Sequence, residues 1–167
     1  MIQKYIEIDS EVKKAIKKDK PIVALESTLI SHGLPYPLNI QIAEESKKLV
    51  RRSGSIPATI GIIDGKIKIG LNFDEIKILG TRKNVEKVSR HNIALNMIKN
   101  KFASTTVASS LMIASLIGIK FFSTGGIGGV HRNSEKTNDI SSDLFCMIKL
   151  NYLLDPVRLL IIQEILL

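Results

Sequence analysis

Apolar residues recur along this chain with helical spacing in some stretches and as short unbroken runs in others. Residues 11–18 put Val12, Ala15 and Ile16 on one face, which predicts a short helix capped by Asp9 or Ser10. Asp19, Lys20 and Pro21 break it. Residues 22–25 are an unbroken apolar run, read as a buried strand whose carboxyl end delivers Glu26. Ligands of α/β sheets usually bind beyond such ends. Residues 26–37 hold Ser27, Thr28, Ser31, His32, Gly33, Pro35 and Pro37, and predict an irregular loop. Helical spacing returns over 40–52, with Asn39 as cap and Gly54 as stop. Residues 57–63 and 66–71 flank Asp64-Gly65, a two-residue hairpin signal. Ile67 and Ile69 alternate with Lys66 and Lys68, so one face of that strand meets water. Asn72 opens a helix over 73–79, and 80–84 form a basic turn. A helix is predicted over 91–101, then another from Thr105 or Thr106 to Leu116, closed by Gly118. A strand over 119–123 follows. Strands alternating with helices, with one hairpin inserted, predict a layered α/β/α fold with a mixed β-sheet.

The stretch 121–144 concentrates polar chemistry. Its strand ends in Gly125, Gly126, Gly128 and Gly129. Glycine permits positive φ and close approach to bare amides, and rows of exposed N–H groups bind anions. His131 and Arg132 add donors, and Asp139, Ser141, Ser142 and Asp143 add carboxylates and hydroxyls. The combination points to a site for a phosphorylated small molecule with a divalent metal; a plain connecting turn is the alternative for the glycines alone. The spacing is neither a dinucleotide-binding fingerprint nor a P-loop. Residues 85–90 hold Lys87, Ser89 and Arg90, and the lysine and arginine read either as phosphate neutralisers or as an exposed basic edge. Glu26 reads as a general acid or base, or else as a helix cap or ion-pair partner. His32 is read as a structural histidine.

Composition narrows the classes. The 167 residues suit one domain, and with no Trp and 5% aromatics the core must be Ile, Leu, Val and Ala. The net charge of +8 is spread over lysines interleaved with acids, without an aromatic-rich basic module, so no nucleic-acid partner is expected. A single cysteine, Cys146, excludes an internal disulfide and a multi-cysteine zinc site. The first residues lack an apolar signal core, and no run of about 20 residues is uniformly apolar. A cytoplasmic protein without a membrane span is expected.

Several stretches in order carry a resemblance. They are Ala-Leu-Glu-Ser-Thr-Leu-Ile-Ser-His-Gly-Leu-Pro-Tyr-Pro (24–37), Ile-Pro-Ala-Thr-Ile-Gly-Ile-Ile-Asp-Gly (56–65), Lys-Val-Ser-Arg (87–90), Thr-Thr-Val-Ala-Ser (105–109), and Thr-Gly-Gly-Ile-Gly-Gly-Val-His-Arg through Asp-Ile-Ser-Ser-Asp-Leu (124–144). Together they resemble the pseudouridine-5'-phosphate glycosidases, the family that includes the indigoidine-synthase-A-like proteins. The resemblance implies reversible cleavage of the C-glycosidic bond of pseudouridine 5'-phosphate to uracil and ribose 5-phosphate. It implies a lysine that opens the ribose as a Schiff base, a glutamate that moves protons, and a manganese ion. By position, Glu26 matches the proton donor, Lys87, Val107, Ser141, Ser142 and Asp143 match substrate contacts, and Asp139 matches the metal ligand. One carboxylate completed by water suits a hard divalent ion. Family members are typically homotrimers.

The matching stops at Leu144. The family's attacking lysine lies in a Cys-Ala-Gly-Ala-Lys-Ser-Ile-Leu stretch that is absent from these 167 residues, and Lys149 stands in a different context. The expectation is a family domain over 1–144, a divergent apolar tail over 145–167, and the C-terminal half of the family fold missing. Catalysis would then be impaired, and a non-catalytic phosphosugar- or metal-binding remnant is the alternative. The nearly all-apolar run 157–167 must be buried by something.

Overall fold

The computed structural model describes residues 2–99, 101–130, 132 and 134–150. His131 and the apolar run 157–167 lie outside the described residues. Strand β1 (Ile6–Ile8) leads into helix α1 (Ser10–Lys17), where Asp9 is the cap and its carboxylate accepts from Glu11 N–H at 2.8 Å. Strand β2 (Ile22–Leu25) follows. Next comes a single π-type turn, Leu29–Gly33, inside the segment expected to be irregular throughout. Helix α2 (Leu38–Arg52) precedes strand β3 (Ile56–Ile63), which turns through Asp64 (φ 50°) and Gly65 (φ 74°) into β4 (Lys66–Ile69). This is the hairpin that Asp64-Gly65 predicts, because both central residues of such a turn need positive φ. Helix α3 (Phe73–Thr81) begins with the capping box of Asn72 and Glu75. Strand β5 (Glu86–Val88), helix α4 (Ile93–Lys99), strand β6 (Phe102–Thr105), helix α5 (Val107–Leu116), strand β7 (Phe121–Ser123), the short turn α6 (Ser134–Thr137) and helix α7 (Ser142–Lys149) complete the order.

The seven strands form one mixed sheet around β3. β2 runs parallel to the first half of β3, with Leu25 opposite Thr59, and β7 runs parallel to β2 on its far side. β6 runs antiparallel to the second half of β3, with Ser104 opposite Gly61, and β5 runs parallel to β6. β2 and β6 therefore approach each other end to end along one long strand.

Helices cover both faces, as the layered α/β/α expectation requires. On one face Val12 and Ala15 of α1, Ile93 of α4 and Ile113 and Ala114 of α5 pack on Ile60 and Ile62. On the other, Ile40 and Ala43 of α2 and Ile76 and Leu79 of α3 pack with Ile30 and Ile63. Helix α5 is apolar nearly all round because α7 covers its outer side, with Cys146 and Met147 against Val107, Ala108 and Leu111. Among the described residues no helix is long and apolar enough to cross a membrane.

Asn39 is not the cap that its place in the sequence suggests. It lies inside α2, buried, and its amide ties three segments together. Nδ2 donates to the carbonyls of Ile30 (2.7 Å) and Gly80 (2.9 Å), and Oδ1 accepts from Ile40 N–H (2.9 Å). Asn39→Ala strips the donor from both carbonyls and is expected to cost about 2 kcal/mol. The check is a lower urea midpoint with an unchanged slope.

Candidate active site

The end-to-end meeting of β2 and β6 builds the site. Ser27, just past β2, donates its N–H to Thr105 O (3.2 Å) at the end of β6. Thr105 N–H returns a bond to Ser27 Oγ (2.9 Å). Thr105 Oγ1 donates to Ile60 O in the middle of β3 (2.6 Å), and Ser110 Oγ donates to Thr105 Oγ1 (2.9 Å). Ser27, Thr105 and Ser110 are fully buried. Their hydroxyls supply the hydrogen bonds that a continuous strand would otherwise supply at the join. β7 ends beside β2 (Leu25 opposite Ser123), and β5 ends beside β6 (Val88 opposite Thr105). Four strand termini thus converge, and the residues just beyond them are Glu26, Thr124, Ser89 and Thr106.

Glu26 is partly buried there, and the Thr124 hydroxyl donates to its carboxylate. Its pKa is raised to about 7. Burial is the main cause, because a carboxylate loses hydration in a low-dielectric setting. The Thr124 bond pulls the value down, the Asp143 charge pushes it up, and the Lys87 ammonium pulls it down. A carboxyl half-protonated near neutrality both gives and takes a proton.

The glycine-rich loop folds differently from expectation. Among the described residues, positive φ at glycine occurs at Gly54, Gly65, Gly70 and Gly118, and at none of the four glycines of this loop. The requirement at Gly128 is close approach: an added methyl would collide with the Ser141 side chain. The loop amides are also not all bare. Gly126 N–H bonds Thr124 Oγ1 (3.2 Å) and Gly128 N–H bonds Asp143 Oδ2 (2.9 Å). The N-terminus of α5 faces an anionic side chain, Asp143, whose Oδ1 accepts Ala108 N–H (2.8 Å).

The remaining sequence candidates fall as follows. Ser141 caps α7, its oxygen accepting from Asp143 N–H at 3.2 Å. Ser142 Oγ lies 3.0 Å from Ser89 Oγ, joining α7 to the end of β5. Lys87 is exposed on β5 and is close enough for its charge to act on Glu26. Val107 opens α5 with its side chain buried. Asp139 is exposed, one residue before the bridge between Ile140 and Val130. The structure thus brings Glu26, Lys87, Asp143, Ser141 and Ser142 into one neighbourhood, and no contact ties Asp139 to it among the described residues. Cys146 is buried and its thiol is pushed up by that burial, which makes it a packing residue rather than a nucleophile. His32 is exposed, with Nδ1 2.7 Å from Ser31 Oγ, whose own proton goes to Ser104 Oγ (2.6 Å).

A family profile described as indigoidine synthase A-like protein matches residues 11–153. The chain belongs to that family. Pseudouridine-5'-phosphate glycosidases are among its similar curated relatives. The one from Petrotoga mobilis is 52% identical over 147 residues, covering 88% of this chain and 48% of the relative. The one from Staphylococcus aureus is 52% identical over 150 residues, covering 90% and 49%. The chain spans about half the length of the curated relatives it matches. Two solved structures share the fold. The prealnumycin C-glycosynthase AlnA in complex with ribulose 5-phosphate superposes with TM-score 0.76 at 39% identity, covering 85% of this chain and 46% of that one. An indigoidine synthase A-like protein from Thermotoga maritima superposes with TM-score 0.73 at 35% identity, covering 85% and 45%.

Thr124, bonded to Glu26, and Ser89, beside Ser142, are neighbours of this candidate site to which the sequence alone assigns no role. Thr124 opens the Thr-Gly-Gly stretch, and only its return beside β2 reveals the bond to Glu26. For a metal, the described residues offer no group of three His, Cys, Asp or Glu side chains. They do not form a protein cage. The exposed Asp139 carboxylate fits a mostly hydrated divalent ion held at one point.

Proposed function

We propose that this chain serves pseudouridine-5'-phosphate glycosidase chemistry. It holds the ribose 5-phosphate portion of pseudouridine 5'-phosphate and moves the proton in reversible cleavage of the carbon–carbon glycosidic bond to uracil and ribose 5-phosphate. The observation that carries this reading is Glu26, a carboxyl raised to about 7 where four strand ends converge. The names of the curated relatives and the sugar phosphate bound by AlnA support the substrate class.

Glu26 in its protonated form gives a proton at the departing base or the ring oxygen, and in its ionised form takes one back. The Lys87 ammonium neutralises phosphate charge. The Ser89 and Ser142 hydroxyls orient the sugar phosphate at the end of β5. The buried Val107 forms part of the floor, and Ser141 and Asp143 hold the loop around the ligand. A manganese ion held by Asp139 would supply positive charge beside the sugar-phosphate oxygens. A cytoplasmic homotrimer is the setting we infer; exposed Leu116, Phe121 and Ile148 suit association.

The family's attacking lysine has no motif match among these 167 residues. The chain alone is therefore expected to bind ribose 5-phosphate without releasing uracil from pseudouridine 5'-phosphate. Uracil release is expected once the remaining half of the Petrotoga mobilis relative is added with Mn²⁺. Calorimetric titration of ribose 5-phosphate checks the binding, and Lys87→Ala should weaken it about tenfold or more through loss of a charge-assisted contact. No heat of binding at millimolar ribose 5-phosphate contradicts the reading.

A further inference from the structure

Asp143 is 9% exposed, and each of its carboxylate oxygens accepts a backbone N–H from a different segment. Oδ1 takes Ala108 N–H in the first turn of α5 (2.8 Å), and Oδ2 takes Gly128 N–H in the glycine-rich loop (2.9 Å). The surrounding contacts reinforce this arrangement. Ser141 Oγ accepts Asp143 N–H (3.2 Å), Ser141 N–H donates to Gly129 O (3.0 Å), and Val130 pairs with Ile140. Gly128 has no room for a side chain because Ser141 lies against it. Residues 128–130 are thereby fastened along 140–143, and Asp143 fastens both to α5.

We propose that Asp143 is a positioning residue, the latch that holds the glycine-rich loop closed on the N-terminus of α5 and keeps Thr124 against Glu26. Its two bonds are charge-assisted, roughly twice as strong as neutral ones. The positive end of the α5 dipole adds to the attraction. An ordinary first-turn carboxylate would only favour its own helix; this one directs its oxygens to two other segments. The latch also alters the ligand assignment, and this part rests on the glycosidase reading above. The amides of Gly128 and Ala108 already hold an anion, so the substrate phosphate falls to side chains such as Lys87.

The test is amide hydrogen exchange on the 167-residue chain. Asp143→Asn keeps the shape and one acceptor oxygen but removes the charge. Exchange across 124–130 and at Ala108 is expected to quicken about tenfold or more, from loss of charge-assisted bonds. The β3–β4 hairpin should exchange at the wild-type rate. Unchanged exchange across 124–130 overturns the proposal. If the variant fails to fold, the wild-type protein still decides. Gly128 N–H should exchange about a hundredfold slower than an open-chain amide, and exchange at the open-chain rate overturns the latch. Ribose 5-phosphate titration separates the two readings. A loosened loop with about tenfold weaker binding supports both. A loosened loop in a chain that never binds ribose 5-phosphate supports the latch and counts against the glycosidase assignment.

Discussion

Glu26→Gln is expected to yield a more stable and catalytically incompetent protein. Folding raises the Glu26 pKa from 4.5 to about 7, so the native state prefers the protonated acid. The sign follows from proton binding. Between these pH values the native state holds more protons than the unfolded chain, so stability falls as pH rises. The group's contribution is fully present below pH 4.5 and is lost once pH exceeds about 7. A tenfold difference in proton affinity corresponds to about 1.4 kcal/mol, so the ionised form costs the native state about 3 kcal/mol above neutrality. Glutamine stays neutral and its carbonyl still accepts from Thr124. The variant should therefore match wild type below pH 4.5 and gain stability above pH 7, up to that amount. In the same variant, uracil release in the presence of the relative's remaining half should fall about 100-fold or more, the scale of a general acid. Urea unfolding at several pH values and a uracil assay give both readings. Equal stability of the two proteins above pH 7 contradicts the buried-acid assignment.

Thr105→Val is expected to lower stability by about 3 kcal/mol, although the two side chains are nearly the same size. The Thr105 hydroxyl donates to Ile60 O at 2.6 Å and accepts from Ser110 Oγ at 2.9 Å, with Ser27 Oγ 3.3 Å away. Valine fills the space and leaves a carbonyl and a hydroxyl unpaired in a region without solvent exposure. Each such group costs about 1–3 kcal/mol, while the methyl for hydroxyl exchange returns little. Ser27→Ala, which removes an acceptor for Thr105 N–H, should cost about 1–2 kcal/mol. The loss should show in urea midpoints. If Thr105→Val costs under about 1 kcal/mol, the join between β2 and β6 is not held by its hydroxyls.

The seam also explains which elements the sequence discloses. β2 and the β3–β4 hairpin are legible because their apolar runs and the Asp64-Gly65 turn follow directly from burial and backbone geometry. β6 is hidden because Ser104 and Thr105 are fully buried yet polar, so no apolar run marks it. β1 and β5 are three residues long with Glu7 and Lys87 at their centres, too short for a period to show. Asn39 stands where a cap belongs, and nothing local reveals that its partners are Ile30 and Gly80.

The site divides in the same way. Glu26 is legible as a carboxylate at a strand end. The glycine-rich loop is legible as a special segment, but its physical reason is the contact of Gly128 with Ser141, a long-range fact. The use of its amides by Asp143 depends on α7 packing against α5, which no local pattern encodes. The roles matched to Lys87, Val107, Ser141, Ser142 and Asp139 come from the resemblance, since an exposed lysine or a capping serine has many ordinary uses.

The most direct measurement is an NMR titration of the chain carrying ¹³C-labelled glutamate carboxyls. One resonance is expected to titrate with a midpoint of about 7 and to vanish in Glu26→Gln. If every glutamate resonance titrates at or below the ordinary 4.5, Glu26 is a solvated surface carboxylate, and the strand ends do not enclose a proton-transfer site.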